Sequence, residues 1–258
     1  MSTENGVVVK IDLQNKDCLG FLRELEDDSI DMVVVDPPYF QIVKNSWDNQ
    51  WASEQEYLDW CDKWTRECFR VLKPGRCFYV WGTTKTDTFL RYKLDVLNRV
   101  TDAYYQNWII WHYDWGGRTK KTFARKHEDL LMYSKGKEFL FNADDVRIPY
   151  KTKKNVRKGA TNNPKGKIPT DVWEKNNHTT SKEYAGWHPT QKPIVLLERV
   201  IKANTNEGDV VLDCFSGSGS TMIAAAKCGR SFLGSELDTE YCDKSMKRFE
   251  ALVDPTEA

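Results

Sequence analysis

The chain has 258 residues, with 38 basic and 38 acidic side chains, zero formal net charge and 40% hydrophobic residues. That length suits one α/β domain with a full core and room for an inserted lobe, and the even balance excludes a uniformly basic nucleic-acid coat. No apolar stretch is long enough to span a membrane, no signal-peptide pattern opens the chain, and seven cysteines without a CxxC pair predict reduced thiols in a cytoplasmic protein and no zinc site.

Seven strands are predicted, at 8–13, 32–35, 77–81, 107–112, 129–133, 209–213 and 231–235. The first leads into Lys16-Asp17-Cys18, which by itself carries no meaning. The second, Met32-Val33-Val34-Val35, is a buried β-branched run that ends in Asp36-Pro37-Pro38-Tyr39. Each proline fixes φ and lacks an N–H, so the turn is stiff and its carbonyls are free to accept. A carboxylate, rigid carbonyls and an aromatic face together suit a planar ring bearing an exocyclic amine. An ordinary strand-ending turn with a tyrosine lid is the plainer reading of the tetrapeptide alone.

A helix starts at Ser53, with Glu56 completing a capping box, and sets Tyr57, Trp60, Cys61, Trp64, Cys68 and Leu72 on one face before Lys73-Pro74-Gly75 stops it. Trp108, Trp111 and Trp115 could serve as stacking platforms; most of the tryptophans fit the core or a sheet face better, while Trp115-Gly116-Gly117 reads as a mobile loop near DNA. Arg118-Thr119-Lys120-Lys121-Thr122-Phe123-Ala124-Arg125-Lys126 is one-sidedly basic. His127-Glu128 then opens the strand at 129–133 and lacks a second histidine for zinc. From Arg147 to Lys167 lie eight basic residues, Lys153, Lys154, Arg157 and Lys158 among them, and no acidic one. Such runs neutralise phosphates or simply form solvated loops. The polar segment 135–186 lacks periodic structure, and long loops in compact domains are usually functional or disordered.

A helix follows Pro193 over 194–203. Val210-Val211-Leu212-Asp213 then opens Cys214-Phe215-Ser216-Gly217-Ser218-Gly219 and a further helix that ends at Gly229. Strand, glycine turn and helix make a nucleotide-binding opening, because glycine lets backbone approach a ligand closely. Met222 stands where the dinucleotide fingerprint wants its third glycine, and no Lys-Ser/Thr ending marks a P-loop. The next strand ends at Glu236, placed to accept from ribose hydroxyls, and the last helix begins near Thr239. An adenosine-containing cofactor without a pyrophosphate fits best. The whole reads as a seven-stranded, mostly parallel sheet flanked by helices, with both motif turns on one edge.

On Asp36-Pro37-Pro38-Tyr39, His188-Pro189-Thr190-Gln191-Lys192-Pro193 and the glycine turn after Asp213, the chain resembles the S-adenosylmethionine-dependent DNA amino-methyltransferases. Catalytic motif first and cofactor motif last resembles their permuted β group, and Asp at position 36 is the form typical of adenine-N6 enzymes. The likeness runs roughly from Lys16 to Phe249 and thins between Arg147 and Gly186; Cys214 departs from the usual proline. The resemblance implies a Rossmann-like methyltransferase fold, with residues 1–134 as the catalytic half, 135–186 as a target-recognition insert and 187–258 as the cofactor half.

It further implies that Asp36 and the Pro37 carbonyl accept from the adenine amine, with Pro38 stiffening the turn and Tyr39 stacking on a flipped base. Phe215, Ser216, Gly217 and Gly219 would line the methionine and ribose side beside Asp36 and Asp213, with Glu236 on the ribose. Asp17 and Cys18 would meet the cofactor's adenine, and Thr190 and Lys192 its carboxylate end. His127-Glu128 resembles the group's pair near the base pocket, with a structural role equally open. Double-stranded DNA is the expected partner, bound through Arg118, Lys120, Lys121, Lys153, Lys154, Arg157 and Lys158. A homodimer, a separately acting restriction endonuclease and a bacterial, archaeal or phage source are further expectations. Cytosine-N4 transfer, an RNA or protein-glutamine substrate, and a catalytically silent DNA-binding subunit are the alternatives.

Overall fold

The computed structural model describes residues 8–42, 46–116, 118–150, 162–174 and 183–253. In chain order the strands are β1 (Ile11–Asn15), β2 (Ile30–Val35), β3 (Leu72–Gly82), β4 (Ala103–His112), β5 (His127–Lys135), β6 (Val172–Glu174), β7 (Val210–Asp213) and β8 (Ser231–Glu236). The α-helices are α1 (Cys18–Arg23), α2 (Glu54–Val71), α3 (Thr88–Arg91), α4 (Ile194–Asn204), α5 (Ser220–Lys227) and α6 (Thr239–Val253). No helix among the described residues is long and apolar enough to cross a membrane.

The strands form one sheet in the order β1-β8-β7-β2-β3-β5-β4-β6. Every neighbouring pair is parallel except those made by β5, which runs antiparallel to both β3 and β4. All six residues of β2 are buried, as a central strand covered on both faces requires. Its side chains alternate between two cores, Val33 and Val35 joining Trp64 and Phe78 on one face, Met32 and Val34 joining Tyr79, Trp81 and α4 on the other. Asp31 is the polar exception. It is 3% exposed, pairs with Lys73 at 2.8 Å and Arg76 at 3.1 Å, and accepts from Val210 N, so a buried charge is compensated while it joins three strands.

Eight strands stand where seven were expected. The additional one, β6, pairs with β4 from within the segment read as an insert. It is three residues long, and no alternation can be read from Val172-Trp173-Glu174. The first strand starts at Ile11 rather than Val8. The capping box at Ser53 forms, its Oγ accepting from Glu56 N at 3.1 Å, while the Glu56 carboxylate reaches Ala52 N at 2.8 Å. Its helix ends at Val71, one residue early: Leu72 turns extended and begins β3, whose run continues through Pro74 and Gly75.

Candidate active site

The carboxyl ends of β2, β7 and β8 open onto a cleft of about 1570 Å³. β2 and β7 are adjacent, with Met32 paired to Val211 and Val33 to Leu212, so the two motif turns leave neighbouring strands on the same edge. Tyr113, residues 118–125, the start of β5 and the stretch 188–192 close the remaining sides.

Asp36-Pro37-Pro38-Tyr39 is held from every direction. Tyr39 Oη donates to Asp36 Oδ1 at 2.7 Å, Tyr39 N donates to Asp48 Oδ1 at 2.7 Å, and Tyr57 Oη donates to the Pro38 carbonyl at 3.1 Å. Burial, and next the Asp36 charge, push the Tyr39 phenol well above its ordinary range, so it stays a donor. The second oxygen of Asp36 accepts from Lys192 Nζ at 2.5 Å. Lys192 is only 5% exposed, pairs also with Glu128 Oε2 at 3.1 Å, and lies over the Trp81 ring at 5.5 Å and the Tyr39 ring at 5.9 Å. Burial alone would lower its pKa, but the two carboxylates more than offset that, so the ammonium is held charged.

Across the cleft, Asp213 ends β7 and accepts from Phe215 N at 3.0 Å. Its carboxyl is pushed up to about 7, chiefly by burial. Gly217 at φ 50° and Gly219 at φ 73° occupy left-handed backbone that side chains rarely adopt. Glu236 fastens the turn: Oε2 accepts from Gly217 N at 2.7 Å and Oε1 from Asp238 N at 2.9 Å. Burial is again the main reason its carboxyl titrates above the ordinary range.

Asp17, Cys18, Asp36, Pro37, Pro38, Tyr39, Thr190, Lys192, Asp213, Phe215, Ser216, Gly217 and Glu236 all line this one cleft. Asp17 has a structural task as well, capping α1 by accepting from Leu19 N and Gly20 N. Phe215 also packs edge-on against Trp60 and Trp64. Gly219 does not line the cleft; it lies behind it as the N-cap of α5, against Ser245 and Met222. Lys192, expected at the cofactor's carboxylate end, is buried against the Asp36 carboxylate. Arg118 lines the rim, Lys120 and Lys121 are exposed beside it, and Lys153, Lys154, Arg157 and Lys158 fall outside the described residues.

Glu128 and His188 line the cleft as well: Glu128 lies where the resemblance put the His127-Glu128 pair, and His188 opened a motif without being given a role. His188 sits between Trp47 and Tyr241, its ring 2.8 Å from where a Cβ on Gly217 would stand. Burial drives its pKa down to about 4, so the ring is neutral. All seven cysteines are free and buried, and no group of three or more His, Cys, Asp or Glu among the described residues could hold a metal ion.

A rigid acidic loop facing a glycine turn, one strand apart, is the arrangement of a transferase that brings an acceptor against an adenosine-type donor. The cradle fits such a donor: a backbone opened by glycine, a carboxylate at the end of the next strand, and a cleft large enough for two ligands to meet. Comparison with known proteins makes the class specific. The family model described as DNA methylase, of the N6/N4 type, matches residues 30–247. The type II methyltransferase M.HpaI of Haemophilus parainfluenzae is 34% identical over 89% of this chain and 71% of its own length. The DNA adenine methyltransferase YhdJ of Escherichia coli K12 is 33% identical over 91% and 81%. The solved PvuII DNA methyltransferase, cytosine-N4-specific, superposes with a TM-score of 0.75 over 94% of this chain and 87% of that one at 20% identity. Solved neighbours of the same fold include complexes with S-adenosylmethionine. The chain belongs to the N6/N4 family of S-adenosylmethionine-dependent DNA methyltransferases.

Proposed function

We propose that the protein methylates adenine at N6 in duplex DNA, on a base flipped into the cleft beside Asp36. The observation that carries this reading is the acidic Asp36-Pro37-Pro38-Tyr39 loop at the cleft's floor, in a chain one-third identical to a DNA adenine methyltransferase. An exocyclic amine is a poor nucleophile because its lone pair is delocalised into the ring. Asp36 and the Pro37 carbonyl accept its two hydrogens and aim the lone pair, so orientation supplies much of the acceleration. S-adenosylmethionine supplies an already activated methyl group.

The remaining residues bind and orient. Tyr39 stacks on the extruded base, whose flipping costs on the order of a few kcal/mol. Glu236 accepts from the ribose hydroxyls, Ser216 and Gly217 give backbone to the donor's amino-acid side, and Asp17, Cys18 and Thr190 complete its enclosure. Arg118, Lys120 and Lys121 neutralise phosphates of the bound duplex, a role supported by their exposure beside the cleft. Residues 135–186 supply the choice of sequence, and a restriction-modification role fits the type II relatives.

Cytosine-N4 transfer is the second reading, favoured by the overlay on the PvuII enzyme. Nucleoside mass spectrometry of mixed-sequence duplex DNA, after incubation with labelled S-adenosylmethionine, decides between them. N6-methyladenine is the expected product. N4-methylcytosine overturns the base, and label absent from DNA overturns the substrate.

A further inference from the structure

In this structure both oxygens of the catalytic carboxylate are occupied. Tyr39 holds Oδ1 of Asp36, and Lys192 holds Oδ2 at 2.5 Å. Each oxygen keeps a further lone pair, so an amine can still be accepted, but while a full ammonium charge rests on Asp36 the carboxylate is a weaker acceptor and a weaker base. Lys192 has an alternative partner within reach, Glu128 at 3.1 Å, whose side chain accepts no other hydrogen bond among the described residues. We propose that Glu128 and Lys192 are positioning residues forming a charge hand-off: Lys192 moves its ammonium from Asp36 onto Glu128 as the amine arrives, freeing Asp36 to accept from it and then to take its proton. This rests on the methyl-transfer reading above, but not on which base is methylated.

The balance of the step explains why a second carboxylate is needed. Attack of the amine nitrogen on the activated methyl forms an N–C bond as the C–S bond breaks, and that electron pair stays on sulfur. The nitrogen, still carrying both hydrogens, is left cationic and must lose one. Asp36 takes that proton and becomes neutral, and would then leave a buried ammonium unpaired. Burial raises the Glu128 carboxyl and the Lys192 ammonium opposes that shift, so with the ammonium drawn onto it Glu128 keeps Lys192 paired until Asp36 gives the proton to water. A buried cation without a partner is costly, so the second carboxylate lowers the barrier to neutralising the first.

Other charges face the pair as well. Asp213 and His188 face Asp36 across the cleft, while Asp129, Tyr113 and, beyond the phenol, Arg125 surround Glu128. None of these ion-pairs with Lys192, whose charged partners are Asp36 and Glu128 alone among the described residues.

The test is single-turnover methyl transfer against pH for the wild type, Glu128→Gln and Lys192→Met, with thermal unfolding followed by circular dichroism as a check on folding. Glu128→Gln removes a negative charge and leaves the ammonium wholly on Asp36, so the acid limb moves to lower pH. Lys192→Met removes the cation and leaves two carboxylates together, so the limb moves to higher pH, each by about one unit. The plateau rate of Glu128→Gln falls by up to about tenfold, the equivalent of the one unit of basicity that Asp36 loses to the ammonium. Opposite displacements support the hand-off. Limbs that stay in place or move together overturn it, even if both variants are slow, and Glu128→Gln, nearly isosteric, decides alone should Lys192→Met misfold. The identity of the wild-type product judges the base separately.

Discussion

Replacing Gly219 by alanine separates the architecture of the glycine turn from its contact with ligand. At φ 73° an added Cβ costs about 1–2 kcal/mol in backbone strain. It would also stand 2.9 Å from Ser245 Cβ, 3.0 Å from Met222 Cε and 3.5 Å from the Ser245 carbonyl, wedged between α5 and α6. Overpacking of this kind adds about 1–3 kcal/mol. The sum, about 2–5 kcal/mol, lowers the melting temperature by about 5–15 °C in a domain of this size. Gly217→Ala provides the contrast, since its Cβ meets the tip of the His188 ring, which can turn. That variant melts closer to wild type but binds S-adenosylmethionine more weakly, because the ring is pushed within the cleft. Differential scanning fluorimetry and titration calorimetry measure both quantities. If Gly219→Ala melts within a degree of wild type, the turn does not carry the strain argued for it.

Asp36→Ala abolishes methyl transfer while cofactor affinity stays close to wild type; turnover above background in a single-turnover assay contradicts its role. Changing Arg118, Lys120 and Lys121 together to alanine weakens DNA binding and flattens its salt dependence by about 2–3 units of log–log slope, at roughly 0.9 per phosphate contact. An unchanged slope in fluorescence anisotropy means the run is merely solvated. Asp213 titrates near 7 in the folded protein and near 3.8 in model compounds. The folded state therefore binds the extra proton between those values, and the stability this lends is lost as pH rises through about 7. Asp213→Asn accordingly raises the melting temperature at pH 8 and leaves it unchanged at pH 4; a gain that is the same at both pH values refutes the assignment.

Much of the fold was legible because its central strands are continuous apolar runs and α2 opens with a capping box. The strands at 32–35 and 77–81 lie inside β2 and β3, and the helix after Pro193 is α4, extended by one residue. The short elements were not legible. α1 has six residues and β6 three, too few for periodicity to show, and the direction of β5 depends on its partners rather than its composition. The cofactor and catalytic motifs were readable because each is local to one turn. The meeting of Lys192 with Asp36 spans 156 positions, and Glu128 joins them from a third element, so no motif could announce that cluster.

β2 and β7 are hydrogen-bonded neighbours, and one carries the Asp36-Pro37-Pro38-Tyr39 loop while the other carries the glycine turn. The spacing between the roots of the two motif turns is thus gauged by the backbone itself, at the roughly 4.8 Å step between paired strands. Side chains elsewhere can change without altering that gauge, and β6 joins at the opposite margin of the sheet from β1, four strands beyond β2. A lineage can consequently revise what its outer loops touch while the chemical step is inherited unchanged.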